Sequence, residues 1–417
     1  MSIANILIID YHSASNRGDA AILEGIIYAL NLAFPDAKIN IITQYPLAAN
    51  LINGLKAYRN NVYPFTGWFT KKTVALVYLL ICALLLRKTS FKMPLFDKIV
   101  EKLFLSPFLE ADLIVSTGGS FLNDFYYPSN IARFWNLLFG KFLGKKVIIC
   151  GQSIGPLSYK FLRLLSKFTF LKIDCIILRD KKSFDILNSI GVKENVYVLP
   201  DFAFLLPSAL NEKKPLSFLR LESIPDINKN SLNVSISVRK WSYIKQNIYE
   251  KYIKTLVEYC EWLLQEKKAN VFFISTCTSF CGYQIDDRFV AYDIISRLKD
   301  PKNVYVLCGE YTPYELRNLF SNMTFHVGTR MHSCILALLS GVPVIGIGYE
   351  FKTQELMKQL NFESFVLTMQ DIDLEILKKM SNEILNNREN LTRHIERHIN
   401  ELQKSLLSII EILQRIC

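Results

Sequence analysis

Arg330 and His332 lie two residues apart in the segment HVGTRMHSCILALLSGVPVIGIGYEFK, the sharpest chemical signal in the chain. A guanidinium forks onto two oxygens of a carboxylate or phosphate, and an imidazole exchanges a proton near neutral pH. The apolar run before them reads as a strand ending at Thr329, and Ser333 opens a helix through ILALL that stops at Gly341, with Pro343 beyond. The first turn of such a helix adds unpaired N–H donors and the positive end of its dipole. Together these parts make an anion site with an acid in it. The next run, VIGIGY, delivers Tyr349, Glu350 and Lys352 to the same edge. A blander reading competes with this one, a capped helix with an arginine at the sheet rim.

Weaker signals follow other apolar runs. Asn16-Arg17-Gly18-Asp19 precedes a helix that starts near Ala20, and it either receives an anion or sugar hydroxyl or caps the helix through Asp19. Gly118 and Gly119 let backbone approach a ligand, with Asn123 and Asp124 just beyond. Gly151-Gln152-Ser153-Ile154-Gly155-Pro156 combines two glycines, a polar pair and a proline in one strand-to-helix loop. Arg179-Asp180 and Pro200-Asp201 end two further strands, either in solvent at the rim or against a ligand, and Arg239 adds a cation after LNVSISV. His12 lies in the first loop, and His326 reads as core. His394 and His398, in HIERH, lack the glutamate beside the first histidine that a zinc-protease motif needs, so they read as a solvated helix face. Cys277 and Cys281 have no second pair or nearby histidine to complete a zinc site, and no metal is expected.

Open parallel sheets bind ligands outside the carboxyl ends of their strands, so these residues need such sheets behind them. Apolar runs of strand length (NILII, KINIITQ, ADLIVS, KKVIIC, KIDCIIL, NVYVL) alternate with helix-length stretches as far as Pro207, and a second series (LNVSISV, ANVFFIST, NVYVLCG, MTFHVGT, VPVIGIGY) starts after residue 230. The expected class is α/β, two doubly wound Rossmann-like domains facing a cleft. They span 1–207 and 231–370, with a linker at 208–230 and a tail of one or two helices at 371–417.

A chain of 417 residues, half of them hydrophobic and 21% charged, has enough apolar surface for two cores and excludes a disordered or collagen-like protein. Its net charge of +11 suits a phosphate-bearing ligand, nucleic acid or an anionic membrane. No basic run interleaved with aromatics supports nucleic acid. Nine irregularly spaced cysteines and a start without a basic leader point to a reducing cytoplasm. Thr73 to Leu86, fourteen residues without a charge, is too short for the ~20 apolar residues of a membrane span. It is either a buried helix or one that lies in the membrane interface. In the second case Lys71, Lys72, Arg87 and Lys88 meet anionic lipid, and Phe65, Trp68 and Phe69 add interfacial aromatics.

The ordered set from Asn16-x-Gly18-Asp19 through Gly118-Gly119, Gly151 to Pro156, Arg179-Asp180, Pro200-Asp201 and Arg330-Met331-His332-Ser333 to Tyr349-x-x-Lys352 resembles the polysaccharide pyruvyl transferases over roughly residues 5 to 355. The likeness departs from the family at Ser120, where a third glycine is common, and at Phe202, where Asp-Pro is. It implies a GT-B-like fold and transfer of the pyruvyl group of phosphoenolpyruvate onto two hydroxyls of a sugar as a ketal, without a cofactor beyond that donor. The acceptor would belong to a bacterial surface polysaccharide such as a capsule, and its polyprenyl-diphosphate carrier would place the enzyme in the cytoplasm, peripherally at the inner face of the plasma membrane. Arg330, Lys352, Arg239, Arg179, Ser333 and Tyr349 are then expected at the donor, His332 as the acid, and Asp124 or Asp19 as the base. Asn16, Gly18, Gly118, Gly119, Asn123, Gln152 and Ser153 are expected on the acceptor side. A nucleotide-sugar glycosyltransferase of the same fold is the alternative.

Overall fold

A computed structural model of the chain describes residues 3–59, 62, 71–86, 95–207 and 227–417. The chain divides into two compact units. The first comprises Met1–Ser13, Ile22–Leu205 and Ser405–Cys417, and the second Ala14–Ala21 and Leu206–Lys404. Two short segments therefore belong with the unit remote from them in sequence. Residues 14–21 belong with unit 2, and the last residues of the tail with unit 1. Most of the expected linker, 208–226, lies outside the described residues.

Unit 1 is built from β1 (Asn5–Tyr11), α1 (Arg17–Ala33), β2 (Lys38–Thr43), α2 (Pro46–Asn53), β3 (Ala57–Arg59), α3 (Lys71–Leu86), α4 (Phe96–Lys102), α5 (Ser106–Glu110), β4 (Leu113–Ser116), β5 (Gly119–Leu122), α6 (Asn130–Phe142), β6 (Lys146–Ile154), α7 (Lys160–Phe170), β7 (Cys175–Leu178), α8 (Lys181–Ser189) and β8 (Val196–Val198). Its parallel sheet runs β3-β2-β1-β4-β6-β7-β8, with β5 beside β6. The strand order reverses direction at β1 and β4, where a doubly wound sheet opens its crevice. The central strands read as unbroken apolar runs because helices cover both faces, and Leu113 to Ser116 and Cys175 to Leu178 are buried throughout. Sequence periodicity missed β3 and β5. The first is three residues long, and the second begins at Gly119 inside what reads as a glycine loop.

Unit 2 continues with β9 (Asn233–Ser237), α9 (Gln246–Gln265), β10 (Asn270–Ile274), α10 (Arg288–Ile295), β11 (Val304–Leu307), α11 (Pro313–Phe320), β12 (Phe325–Gly328), α12 (Met331–Leu338), β13 (Val344–Gly348), α13 (Phe351–Gln359), β14 (Val366–Thr368) and most of α14 (Leu374–Leu407), whose end, with α15 (Ile409–Ile416), belongs to unit 1. The sheet, again parallel, runs β11-β10-β9-β12-β13-β14, with its reversal at β9 and β12. The tail packs through Leu377, Ile384, Ile395 and Ile399 of α14 and Leu413 of α15, and Arg415 reaches the Tyr197 hydroxyl on β8. His394 and His398 do not form a solvated face. His398 is buried, the two rings stack 4.0 Å apart, His394 Nε2 meets the Leu360 carbonyl at 3.0 Å, and His398 Nε2 meets Asn361 at 3.1 Å. They close the turn after α13.

The uncharged stretch Thr73 to Leu86 is buried on one face of α3 and exposed on the other. Leu76, Leu79, Cys82 and Ala83 are buried, while Val74, Val77, Ile81, Leu84 and Leu85 are exposed. Trp135 Nε1 on α6 donates to the Leu76 carbonyl at 3.0 Å, fixing the buried side. Phe65, Trp68, Phe69, Arg87 and Lys88 lie outside the described residues. No helix among the described residues is long and apolar enough to cross a membrane. Because Leu79 is fully buried and Val77 is not, Leu79→Ala should cost about 2 to 5 kcal/mol in urea unfolding. Val77→Ser should stay within about 0.5 kcal/mol of the parent. Equal losses would show that the outer face is also packed.

Candidate active site

The switch point of unit 2 places Arg239 just beyond β9 and Arg330 just beyond β12. Arg330 is the N-cap of α12, with extended backbone (φ −87°, ψ 117°) that turns its side chain away from the helix. Its fork is already closed on a carboxylate. Nε donates to Asp287 at 2.8 Å and Nη2 at 2.6 Å, and both residues are buried, at 7% and 1% exposure. Burial alone would pull the guanidinium down. The Asp287 carboxylate outweighs it and holds Arg330 well above its ordinary value, while burial, opposed by Arg330, pushes the Asp287 carboxyl up. Sequence reasoning assigned Arg330 to a substrate anion and missed Asp287, which is one acid among many at a helix start. Only the Nη1 edge and one Nη2 proton lie outside the pair.

Ser333 belongs to the core, not to a donor site. Its hydroxyl donates to the Arg330 carbonyl at 2.7 Å and lies 2.5 Å from Ser237 Oγ and 2.8 Å from His326 Nε2, while His326 Nδ1 lies 2.9 Å from Ser235 Oγ. Burial pushes His326 down to about 3, so this histidine is neutral and locks the start of α12 to β9. His332, in the first turn of α12, is half-buried and packs against Gly18. A Cβ on Gly18 would overlap the imidazole, so only glycine admits this approach.

That contact belongs to unit 2, because residues 14–21 do. Asn16 bridges to Cys277 in antiparallel fashion, the Arg17 N–H donates to the Thr276 carbonyl at 2.7 Å, and Thr278 N–H donates to Ser15 O at 3.1 Å. Arg17, fully buried, donates through Nε to Tyr311 O at 2.6 Å and through Nη1 to Ala14 O at 2.9 Å, and it pairs with Glu310. Glu310 also receives Arg288 at 3.1 Å and the Thr278 hydroxyl at 2.6 Å. Asn16 and Gly18, expected on the acceptor side of the first domain, thus sit in the second unit beside the proposed acid. Capping falls to Asn16, whose Oδ1 accepts the Gly18 N–H at 3.1 Å, and Asp19 stands half-buried in the first turn of α1.

A phenol ringed by cations completes this edge. Arg239 lies over the Tyr349 ring at 4.3 Å and the Trp241 ring at 4.4 Å, and its Nη1 donates to the Tyr349 hydroxyl. Lys352 Nζ is 5.1 Å from the same ring and pairs with Glu350 at 2.6 Å. Burial pushes the Tyr349 hydroxyl up, but Arg239 and Lys352, helped by Arg330, outweigh it and hold it below the ordinary phenol value. Burial likewise pulls Lys352 down, and Tyr349 and Glu350 reverse that and keep it charged. Arg239 thus donates to the hydroxyl directly, while Lys352 and Arg330, each paired with a carboxylate, act on it through their charge. Trp241 carries no sequence signal, being one aromatic in a loop.

In unit 1 the expected residues turn inward. Arg179 Nη1 pairs with Asp201 at 2.7 Å and its Nε donates to Ser153 Oγ at 2.8 Å, and the Ser153 hydroxyl donates to Asp180 at 2.6 Å. Asp180 caps α8 by accepting the Ser183 N–H at 2.7 Å. All four are buried, so Arg179 is a tie between β7, β6 and the turn after β8 and not a donor cation. Gln152 donates to the Thr117 carbonyl at 2.5 Å, and Gly119 opens β5 opposite it. Gly118 is needed for packing, since a Cβ there would meet Gly151 O at 2.7 Å. Asn123 is buried, with its side chain donating to Ser120 O and accepting from Phe125 N–H, each at 2.9 Å. Asp124 Oδ2 accepts the Ser158 N–H at 2.7 Å.

The switch point of unit 1 holds residues the sequence did not single out as a group. Asp10, next to last in β1, lies in the left-handed region (φ 61°), a costly conformation for aspartate, held by bonds from Ser116 Oγ at 2.8 Å and Asn136 Nδ2 at 3.0 Å. His12 follows, pushed down to about 4 by burial and then by Arg133, which lies 3.9 Å over Phe121. Among the described residues no three His, Cys, Asp or Glu side chains are grouped to hold a metal ion.

A family model of the polysaccharide pyruvyl transferases matches residues 16–350 of this chain. The amylovoran biosynthesis protein AmsJ of Erwinia amylovora is 26% identical over 412 residues, covering 95% of each chain. Two solved structures share the fold at low identity. Staphylococcus aureus MnaA with UDP gives a TM-score of 0.58 at 11% identity, covering 94% of this chain and 90% of its own, and Anabaena HepE with UDP-glucose gives 0.56 at 12%, covering 99% and 98%. The architecture is GT-B-like, two parallel-sheet Rossmann-like domains with a helical tail.

Two measurements check the site. Asp287→Ala strands a buried arginine and should cost about 3 to 5 kcal/mol in urea unfolding; a loss below about 1 kcal/mol would mean that the pair is solvated. For His326 the folded value lies below the unfolded 6.5, so its contribution is complete above that pH and is lost as pH falls toward 3. His326→Gln should therefore flatten the decline of the urea midpoint between pH 7 and pH 4 relative to the parent. Parallel declines would place the acid sensitivity elsewhere.

Proposed function

Because the chain belongs to the polysaccharide pyruvyl transferase family, we propose that it moves the pyruvyl group of phosphoenolpyruvate onto two hydroxyls of a sugar as a ketal, in the synthesis of a bacterial surface polysaccharide. The observation that carries this reading is the cationic ring of Arg239, Lys352 and Arg330 around Tyr349, with His332 in the adjoining first turn of α12. A carboxylate and a phosphate on one small donor call for cations, and Arg239 offers a fork where that of Arg330 is closed on Asp287 and Lys352 is paired with Glu350. The Erwinia amylovora relative, named as an amylovoran biosynthesis protein, supports a biosynthetic role.

In the proposed reaction His332 gives its proton to C3 of the enol while a sugar hydroxyl attacks C2. The C–O bond to phosphate then breaks, the cations stabilising the leaving group, and a second hydroxyl attacks C2 to close the ketal. Of the two hydroxyl protons released, one restores His332 and the other leaves with phosphate. Asp19, in the same unit as His332, is the base assigned to the first hydroxyl. Phosphoenolpyruvate is the only small molecule the scheme consumes besides the acceptor. The acceptor is placed on a polyprenyl-diphosphate carrier, and the enzyme in the cytoplasm at an anionic membrane. The UDP-bound fold relatives favour one other reading, a nucleotide-sugar glycosyltransferase.

His332→Ala should lower kcat about 100- to 10,000-fold with little change in phosphoenolpyruvate affinity. Arg239→Gln should weaken donor binding by about 2 to 5 kcal/mol. The readouts are phosphate release and the mass gain of a pyruvyl group on lipid-linked sugars, with donor affinity by calorimetry. Binding of a UDP-sugar without binding of phosphoenolpyruvate would replace this function with the glycosyltransferase.

A further inference from the structure

α7 carries apolar residues on both of its sides. The inner stripe, Leu162, Ser166, Thr169 and Phe170, is buried, and Phe170 lies 5.7 Å from Phe134 on α6. The outer stripe, Phe161, Leu164, Phe168 and Leu171, repeats at helical spacing but stays in solvent, with Leu164 at 68% and Leu171 at 59% exposure. Single exposed apolar residues are ordinary on a protein surface; a continuous outward stripe marks an interaction face. Tyr159, also exposed, extends it at the start of the helix, where its ring lies 6.0 Å from that of exposed Tyr127.

The charged residues of the segment itself have one sign, the Asp124 carboxylate meeting its start at the Ser158 N–H. Lys160, Arg163, Lys167 and Lys172 are exposed, Lys172 Nζ lies 4.5 Å over the Phe168 ring, and no aspartate or glutamate occurs from Leu157 to Ile173. Aromatics and leucines framed by cations are the pattern of a helix lying in the interface of an anionic bilayer. At 11 residues α7 is ~16 Å long, fit to lie on a bilayer and not to cross it. The exposed Val74, Val77 and Ile81 of α3, which packs on α6 as α6 packs on α7, add apolar surface to the same helical layer.

We propose that α7 is a membrane-docking helix that binds anionic phospholipid headgroups through Lys160, Arg163, Lys167 and Lys172 and inserts Phe161, Leu164, Phe168 and Leu171 among them. This deepens the membrane placement given above by naming the element responsible, and it does not depend on the donor or the chemistry. The test is co-sedimentation of the full chain with vesicles of phosphatidylcholine alone and with added phosphatidylglycerol, at low and high salt. Phosphatidylglycerol vesicles should bind at least about 10-fold better, with the advantage lost in high salt. Leu164→Ser with Phe168→Ser, both exposed positions, should abolish sedimentation while leaving the thermal midpoint unchanged. If that pair misfolds, Arg163→Gln with Lys167→Gln serves instead and should remove the phosphatidylglycerol preference. The proposal is overturned if the parent does not bind, if both α7 pairs bind like the parent, or if Val77→Ser with Ile81→Ser on α3 alone abolishes binding. It is equally overturned if light scattering shows a dimer that the α7 pair dissociates and vesicles bind neither form. Vesicle binding without phosphoenolpyruvate turnover would remove the transferase reading and leave this one standing.

Discussion

A charge can be buried at the end of a parallel strand only if an opposite charge is buried with it, and the Arg330–Asp287 pair is where unit 2 meets that requirement. Asp287 follows β10 and Arg330 follows β12, the two neighbours of β9. Two bonds of 2.6 and 2.8 Å therefore join the connections on either side of the central strand, from which Arg239 emerges. The buried polar cluster below it, His326 with Ser235, Ser237 and Ser333, fixes the same turn from within the core. With the turn held from both sides, the first turn of α12 has one place to present His332.

Arg17 plays a comparable part for the residues beside that acid. It is fully buried, three groups on unit 2 receive its guanidinium or its pair Glu310, and it keeps Ala14–Ala21 with a unit almost two hundred residues away in sequence. A buried arginine that reaches two carbonyls and a carboxylate loses little by leaving water, whereas lysine could not fork among them. The tight fit of Gly18 under the imidazole follows from that anchoring.

The strands of both sheets were legible in the sequence because a strand buried on both faces must be an unbroken apolar run. β3, β5 and β14 were not, being three or four residues long and beginning in polar or glycine-containing sequence. Several motif residues have structural partners that the sequence did not reveal. Arg179, Ser153, Asp180 and Asp201 look like a rim of substrate ligands, and only side-chain geometry reveals that they satisfy one another. Asp287, Trp241 and Arg133 went unseen, and Arg17 and His12 were named without their partners, because each becomes informative only through a neighbour distant in sequence. The tail histidines misled for the same reason, since their partners are in the turn after α13.

The motif Arg330-Met331-His332-Ser333 divides its labour residue by residue. Arg330 closes on Asp287, Met331 and Ser333 are buried, and His332 alone of the four is half-exposed. Anyone redesigning the enzyme for a different donor thus has little freedom inside the signature, where three of four positions are committed to architecture. Outside the signature, Arg239 and Trp241 from the loop after β9 meet Tyr349 and Lys352 at the start of α13. Substitutions confined to those four positions would leave the frame that holds the first turn of α12 untouched.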